Sequence, residues 1–174
     1  MTDQSPSLSV NEHRAAAREQ VRCAVLTLSD TRTQEMDASG AFIRQALDWA
    51  DFDVVDYQVK PDDPDTIRTL LSSWAERDDI DAILTNGGTG IARRDSTYDA
   101  ITGLLDKRLD GFGELFRMLS YEQIGSGAML SRATGGIAKS KLIFALPGST
   151  KAVELALTKL ILPEIQHLVF ELRK

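Results

Sequence analysis

The segment Asp81–Asp95, DAILTNGGTGIARRD, constrains the chain more than any other stretch. Its apolar run Ala82-Ile83-Leu84 reads as a buried strand. Gly87, Gly88, Thr89 and Gly90 follow at once. A loop this rich in glycine lets bare backbone amides approach a bound anion closely. Thr89 adds a hydroxyl, and Arg93 and Arg94 add charge-assisted donors suited to phosphate. Asp95 would repel phosphate on its own and makes sense beside it as the holder of a cation, most simply Mg²⁺. The same residues also read as a strand-to-helix turn that uses glycine for tight geometry, and from this stretch alone both readings stand.

The rest of the chain repeats the alternation of strand and helix. Val21–Leu28, VRCAVLTL, is almost continuously apolar or β-branched, as expected of a strand covered on both faces of a parallel sheet. The polar loop Ser29-Asp30-Thr31-Arg32-Thr33 then falls at its carboxyl edge, where open α/β sheets bind ligands, although an ordinary capped turn also accounts for it. Phe42, Ile43, Ala46, Leu47 and Ala50 are spaced for a helix over Ser39–Ala50. A second strand is expected over Asp53–Val59, with Asp62 just past its end. Asp63 is placed to cap a helix that has Pro64 at its first position and Ile67, Leu70, Leu71, Trp74 and Ala75 as its apolar stripe. Capping is the simplest single-residue role for either aspartate.

After the glycine loop, Ser96 or Thr97 is expected to cap a helix running to about Leu105. Phe112, Leu115, Phe116 and Leu119 recur at helical spacing. Glu114 and Arg117 beside them read as a solvated pair or as groups facing the ligand edge. Gly125-Ser126-Gly127 reads as a loop, and Met129–Arg132 resumes with a polar end, Ser131-Arg132. Gly135–Ile137 and Leu142–Leu146 flank a turn at Ala138–Lys141 and predict a hairpin whose second arm is a core strand. Pro147-Gly148-Ser149-Thr150 opens the last helix, with its N-terminus at the ligand edge as a ready anion site; Pro163 is expected to kink it. The alternation predicts a three-layer α/β sandwich with a mainly parallel central sheet plus a small hairpin. Residues 21–174 form that domain in this reading, and residues 1–20 form a flexible polar arm.

Composition removes several classes of function. A chain of 174 residues with 43% hydrophobic content can build an ordinary core, and a net charge of -6 argues against a nucleic-acid partner. One cysteine permits no intramolecular disulfide, and with only two histidines it argues against a zinc site. No apolar run is long enough to span a membrane and the N-terminus has no apolar signal core, so a cytoplasmic protein is expected. The third glycine of the dinucleotide fingerprint is missing after Gly88-Thr89-Gly90, and no Gly-Lys-Ser/Thr closes a Walker A loop.

Six short motifs in this order carry a resemblance: SDTR at Ser29–Arg32, GGTG at Gly87–Gly90, RRD at Arg93–Asp95, GFGE at Gly111–Glu114, SR at Ser131-Arg132 and LPGS at Leu146–Ser149. Together they resemble the molybdenum cofactor biosynthesis family that includes molybdopterin adenylyltransferase, from about Val21 to the C-terminus. GFGELFRMLSYEQIG and LIFALPGSTKA look most similar to its protein B branch. The resemblance implies transfer of AMP from Mg-ATP to the terminal phosphate of molybdopterin. It implies Asp62 and Asp95 as catalytic and Mg²⁺-binding residues. Ser29, Asp30, Gly87, Gly88, Thr89, Gly90, Arg94, Glu114, Ser131, Arg132, Pro147, Gly148 and Ser149 are implied around phosphate or pterin. It further implies a homo-oligomer, a trimer or a hexamer. Many active relatives carry a proline where this chain has Tyr98, and some members of the protein B branch have lost adenylation. The competing expectation is therefore a non-catalytic molybdopterin-binding module.

Overall fold

Continuous apolar runs bury both faces of a strand, and the computed structural model, which describes residues 20–92 and 95–174, uses them in that way. The expected arm over residues 1–19 and the two arginines Arg93 and Arg94 lie outside the described residues. Strands β1 (Arg22–Leu28), β2 (Asp53–Lys60), β3 (Ala82–Asn86), β4 (Lys107–Arg108), β5 (Thr134–Ala138) and β6 (Lys141–Leu146) form a six-stranded sheet in the order β2-β1-β3-β6-β5-β4. The pairs from β2 to β6 are parallel, and β5 and β4 complete the sheet antiparallel. Helices are α1 (Ala38–Trp49), α2 (Pro64–Ala75), α3 (Thr97–Thr102), α4 (Asp110–Ile124), α5 (Thr150–Ala156) and α6 (Leu162–Leu172).

The period of two along each strand divides the core into two layers. Val25, Leu84 and Phe144 point to one side, where they meet Ile43 and Leu47 of α1, Phe116 of α4, Val153 of α5 and Ile165 of α6. Their neighbours Leu26, Ile83 and Ile143 point to the other side, against Ile67, Leu71 and Trp74 of α2 and Ile101 of α3. Each such side chain contributes about 1.5–3 kcal/mol when fully buried. The three-layer sandwich expected from sequence is thus the observed fold. Because α1 and α2 cover opposite faces, the chain reverses its winding direction between β1 and β3, and a crevice opens at the carboxyl ends of those two strands.

Local chemistry explains several boundaries. Asp63 caps α2 by accepting the Thr66 amide at 2.8 Å, with Pro64 at the first turn. The β5–β6 hairpin turns on Lys139 and Ser140, both in the left-handed region at φ 48° and 65°, which suits a type I′ turn. Pro163 has no amide to continue the preceding helix, and the turn just upstream, Leu157–Ile161, widens to a π-helix before α6 begins.

Other expectations need correction. The helix after the glycine loop ends at Thr102 and not near Leu105, and Ser96 precedes it without a side-chain cap. The charged stretch beyond it pairs with β5 as the short edge strand β4. Gly125–Leu130 forms a 3-10 turn that leaves Met129 82% exposed. Leu115 shares the spacing of Phe112 and Phe116 but faces outward. Among the described residues no helix is long and apolar enough to cross a membrane.

At the amino edge of the sheet, opposite the crevice, Asp81 joins three elements. Its carboxylate accepts the Arg22 amide at 2.9 Å, the Arg22 guanidinium at 3.0 Å through two nitrogens, and Arg173 Nη2 at 2.8 Å. Asp81→Ala removes this clamp on the start of β1 and the end of α6. Urea unfolding should show a loss of about 2 kcal/mol, the scale of charge-assisted hydrogen bonds. Ligand affinity at the far edge should not change.

Candidate functional site

The loops after β1, β3 and β6 converge on the crevice and line a cleft of about 530 Å³. Its walls include Ser29, Gly87, Gly88, Thr89, Gly90, Ser131, Pro147 and Gly148, so eight of the residues singled out from sequence do come together. Thr31, Arg32, Ile124, Gly127 and Leu130 also line it. Of these, Arg32 was visible within SDTRT. Ile124 and Leu130 gave no polar signal: they are apolar residues from α4 and the 3-10 turn that stand 61% and 57% exposed at the rim.

Glycine is required here by contact as well as by dihedral angle. Gly87 has φ +100°, and a Cβ on it would lie 2.2 Å from the Leu28 carbonyl oxygen. Gly88 has φ +61°, and a Cβ there would lie 1.9 Å from Thr97 Oγ1 and 2.4 Å from Asp62 Oδ2. A Cβ on Gly90 would lie 2.4 Å from Asp95 Oδ2. The loop backbone therefore rests against both carboxylates singled out from sequence, one beside each of two glycines. Asp62 accepts the Thr97 hydroxyl at 2.7 Å, and its amide donates to Asp30 Oδ1 at 3.1 Å, which makes Asp30 a tie between the loops after β1 and β2. Asp95 Oδ2 accepts the Ala92 amide at 2.8 Å and so braces its own loop.

The other described candidates are not in the cleft wall. Arg132 donates from Nε to the Thr89 carbonyl at 3.1 Å and from Nη2 to the Asp95 carbonyl at 3.0 Å. Its guanidinium also lies over the Tyr98 ring at 4.7 Å, so it staples the glycine loop shut at both ends. Ser149 caps α5 by accepting the Ala152 amide at 3.2 Å. Glu114 faces a separate cavity of about 290 Å³ with Tyr98, Arg108 and Arg117. Arg94 lies outside the described residues. Asp62 and Asp95 supply hard oxygen donors, and the described residues contain no cluster of three or more His, Cys, Asp or Glu side chains able to hold a metal. Such a pair fits Mg²⁺, which typically binds through one or two carboxylates plus substrate phosphates.

Below the cleft lies a polar network that sequence reading missed. Asp37, 1% exposed at the N-cap of α1, accepts Tyr57 OH at 2.7 Å, Ser39 Oγ at 3.0 Å and the Gly40 amide at 3.0 Å. Burial alone would push its carboxyl up, but donors from Thr27, the Gly40 amide, Tyr57 and Ser39 outweigh that and hold it below its ordinary value. In turn, burial and the adjacent carboxylate push the Tyr57 phenol up to about 12. Asn86 donates to Thr27 Oγ1 at 2.8 Å, and its Oδ1, 2.8 Å from Ser39 Oγ, shares that hydroxyl's single proton with Asp37, which ties β1 and β3 to the same group. The available signal was Asp37 directly ahead of the helical spacing, with Ser39 and Gly40 in its first turn, a capping pattern.

Comparison with known proteins places these features in context. A family described as the probable molybdopterin binding domain matches residues 24–167. Molybdenum cofactor biosynthesis protein B of Bacillus cereus is 50% identical over 168 residues, covering 96% of this chain and 99% of that protein. A crystal structure of a molybdenum cofactor biosynthesis protein B superposes with TM-score 0.87 at 51% identity, covering 89% and 97% of the two chains. The tungsten cofactor synthesizing protein MoaB from Pyrococcus furiosus superposes with TM-score 0.81 at 35% identity, covering 90% of this chain and 99% of its own.

The approach of Gly87 to Leu28 predicts a specific sensitivity. Gly87→Ala combines an unfavourable φ with a backbone overlap and should cost at least about 2 kcal/mol, or roughly 4–8 °C in melting temperature. Gly111→Ala, where a Cβ meets nothing within 4 Å, is the matched control and should shift it by less than about 2 °C. Differential scanning calorimetry of the two variants distinguishes the cases.

Proposed function

The chain belongs to the molybdenum cofactor biosynthesis protein B family, and from that premise we propose that it binds molybdopterin in the β1–β3–β6 cleft and adenylylates its terminal phosphate with Mg-ATP. The observation that carries this reading is the glycine loop resting on Asp62 through Gly88 and on Asp95 through Gly90, beside amides suited to phosphate. In the proposed step a terminal phosphate oxygen of molybdopterin bonds to the α-phosphorus of ATP. The bond to pyrophosphate breaks, and pyrophosphate leaves with the electron pair. The attacking monoester is already anionic near neutral pH, so no strong general base is needed and the chain's task is positioning and charge neutralisation. Asp62 and Asp95 would hold Mg²⁺, which supplies neutralisation of the nucleotide phosphates. The Gly87–Gly90 amides and Thr89 hold phosphate, and Ser131, Pro147 and Gly148 shape the opposite wall. This reading implies a cytoplasmic protein.

A second reading is favoured by one observation. Arg132 is engaged with two loop carbonyls and the Tyr98 ring, where many active relatives carry proline, so its charge is committed to holding the loop. On that reading the chain binds molybdopterin without turnover. Incubation with molybdopterin and Mg-ATP, assayed for adenylyl-molybdopterin, separates the two: product supports the transferase, and its absence supports the binding module.

Asp95→Asn sharpens the test, because an amide oxygen can still accept the Ala92 N–H while the charge is lost. If Asp95 holds Mg²⁺, turnover should fall by about 100-fold or more, the scale of about 3 kcal/mol of transition-state stabilisation. Molybdopterin affinity should barely change or tighten slightly, since a carboxylate does not attract an anionic ligand. Unchanged turnover would leave Asp95 as a loop brace only.

The same reading includes a closed homo-oligomer, a trimer or a pair of trimers. Leu115, Met118, Tyr121 and Ile124 of α4, with Met129 and Leu130, are all exposed large apolar side chains from one helix and the turn that follows it. Exposed apolar area of this kind marks an interaction surface. Light scattering at micromolar concentration should give a mass of three or six chains, and a monomeric mass would overturn this.

A further inference from the structure

The cleft carries one charged side chain among its described lining residues, Arg32. Its side chain is 40% exposed, and among the described residues both hydrogen bonds of its guanidinium use the same nitrogen. Nη1 donates to Ser39 Oγ at 3.0 Å and approaches the Gly148 carbonyl at 3.5 Å, and it stands 3.8 Å from Asp37 Oδ1. Ser39 and Asp37 are each 1% exposed. Ser39 Oγ is itself fixed between Asp37 Oδ1 and Asn86 Oδ1. The order of support therefore runs from the strands to Asn86 and Asp37, then to Ser39, then to Arg32 in the cleft wall.

Capping of α1 alone does not account for this arrangement. A cap needs one acceptor for the Gly40 amide, whereas Asp37 is charged, buried and also receives Tyr57 and Ser39. Burying a carboxylate is costly unless several donors and a counter-charge surround it. Here the nearest counter-charge is a guanidinium whose other face opens to the cleft. Such a device fixes an arginine in one orientation before a ligand arrives, which lowers the ordering cost of binding.

Resting on the reading given under Proposed function, we propose that Arg32 is the side chain that recognises a phosphate group of the ligand in this cleft, and that Ser39 and Asp37 are positioning residues that hold its guanidinium there. Nη2 and Nε form the planar fork suited to two phosphate oxygens, which an ammonium cannot reproduce. The ligand class is a phosphate monoester or a diphosphate, bound between Arg32 and the amides of the Gly87–Gly90 loop.

The test is a binding series on the full-length protein with two probes, molybdopterin and inorganic pyrophosphate. For both, Arg32→Ala should weaken binding by about tenfold or more, the effect of losing charge-assisted hydrogen bonds, and Arg32→Lys should restore only part of it. Ser39→Ala should weaken binding about threefold or more in the wild-type background and have no further effect in the Arg32→Ala background, as a double-mutant cycle requires of a residue that acts through Arg32. Dephosphorylated molybdopterin should bind wild type and Arg32→Ala equally. An Arg32→Ala protein that binds pyrophosphate and molybdopterin like wild type overturns the proposal, as does a Ser39→Ala effect that persists without Arg32. If molybdopterin fails to bind the wild type while pyrophosphate binds in an Arg32-dependent way, the functional reading falls and the Arg32 site stands. If neither probe binds the wild type, both fall.

Discussion

The cleft depends on one close approach between two backbones, Gly87 against the carbonyl of Leu28. A side chain at residue 87 would occupy the space of that carbonyl oxygen. Because it is absent, the loop after β3 folds tightly over the end of β1, and Gly148 from the loop after β6 packs on Gly87 in turn. Three chain segments that are distant in sequence thus present main-chain groups to one small volume. The parallel pairing of β1, β3 and β6 fixes their ends at a common level, and the burial of both sheet faces makes that pairing rigid. The geometry of the cleft is therefore inherited from the core and does not rest on its own weak contacts.

Polar groups around the cleft are ordered by the same logic. Asp30, Asp95 and Arg132 each direct hydrogen bonds to loop backbone, Ser149 caps the first turn of α5, and Asp37 joins the first turn of α1 to Tyr57 of β2. Such groups hold dipoles in place before a ligand arrives, which is how a site binds charge without reorganising. Asp62 and Asp95 are held next to glycines, so their carboxylates and the loop amides sit side by side with opposite polarity. That juxtaposition suits a ligand carrying both an anion and a cation better than it suits either alone.

Much of this was legible in the residues. Both-face burial announced the parallel strands, Asp63-Pro64 announced a helix start, and the loops SDTRT, GGTG and LPGS pointed to the sheet edge where the cleft opens. What was not legible depended on contacts between distant residues. Lys107-Arg108 is too short and too charged to signal a strand, and only the neighbouring β5 makes it one. Leu115 has core spacing yet lies outside, because α4 covers only part of its own apolar circumference. The resemblance implied Arg132 around phosphate or pterin, but its bonds to the Thr89 and Asp95 carbonyls, 43 and 37 residues away, could be found only in the fold. Asp37 drew no reading at all, because its partners Thr27, Arg32 and Tyr57 come from other segments and only the fold brings them to the start of α1.

The π-helical turn Leu157–Ile161 determines how the C-terminal end of the chain is aimed. Val153, Leu157, Ile161, Ile165 and Val169 are all buried and recur every fourth residue. On a straight α-helix each such step turns the side chain about 40° too far, so the stripe would wind off the sheet within a few turns. The wider turn takes up one residue without adding its full rotation of about 100°, and this re-phases the stripe onto the same face. The helix thus works as a vernier between a four-residue sequence rhythm and a flat surface. Its last reading is Arg173, which arrives at Asp81 on the amino edge of the sheet, so the bearing of the chain's final turn is set by a slip of one residue some 12 positions upstream.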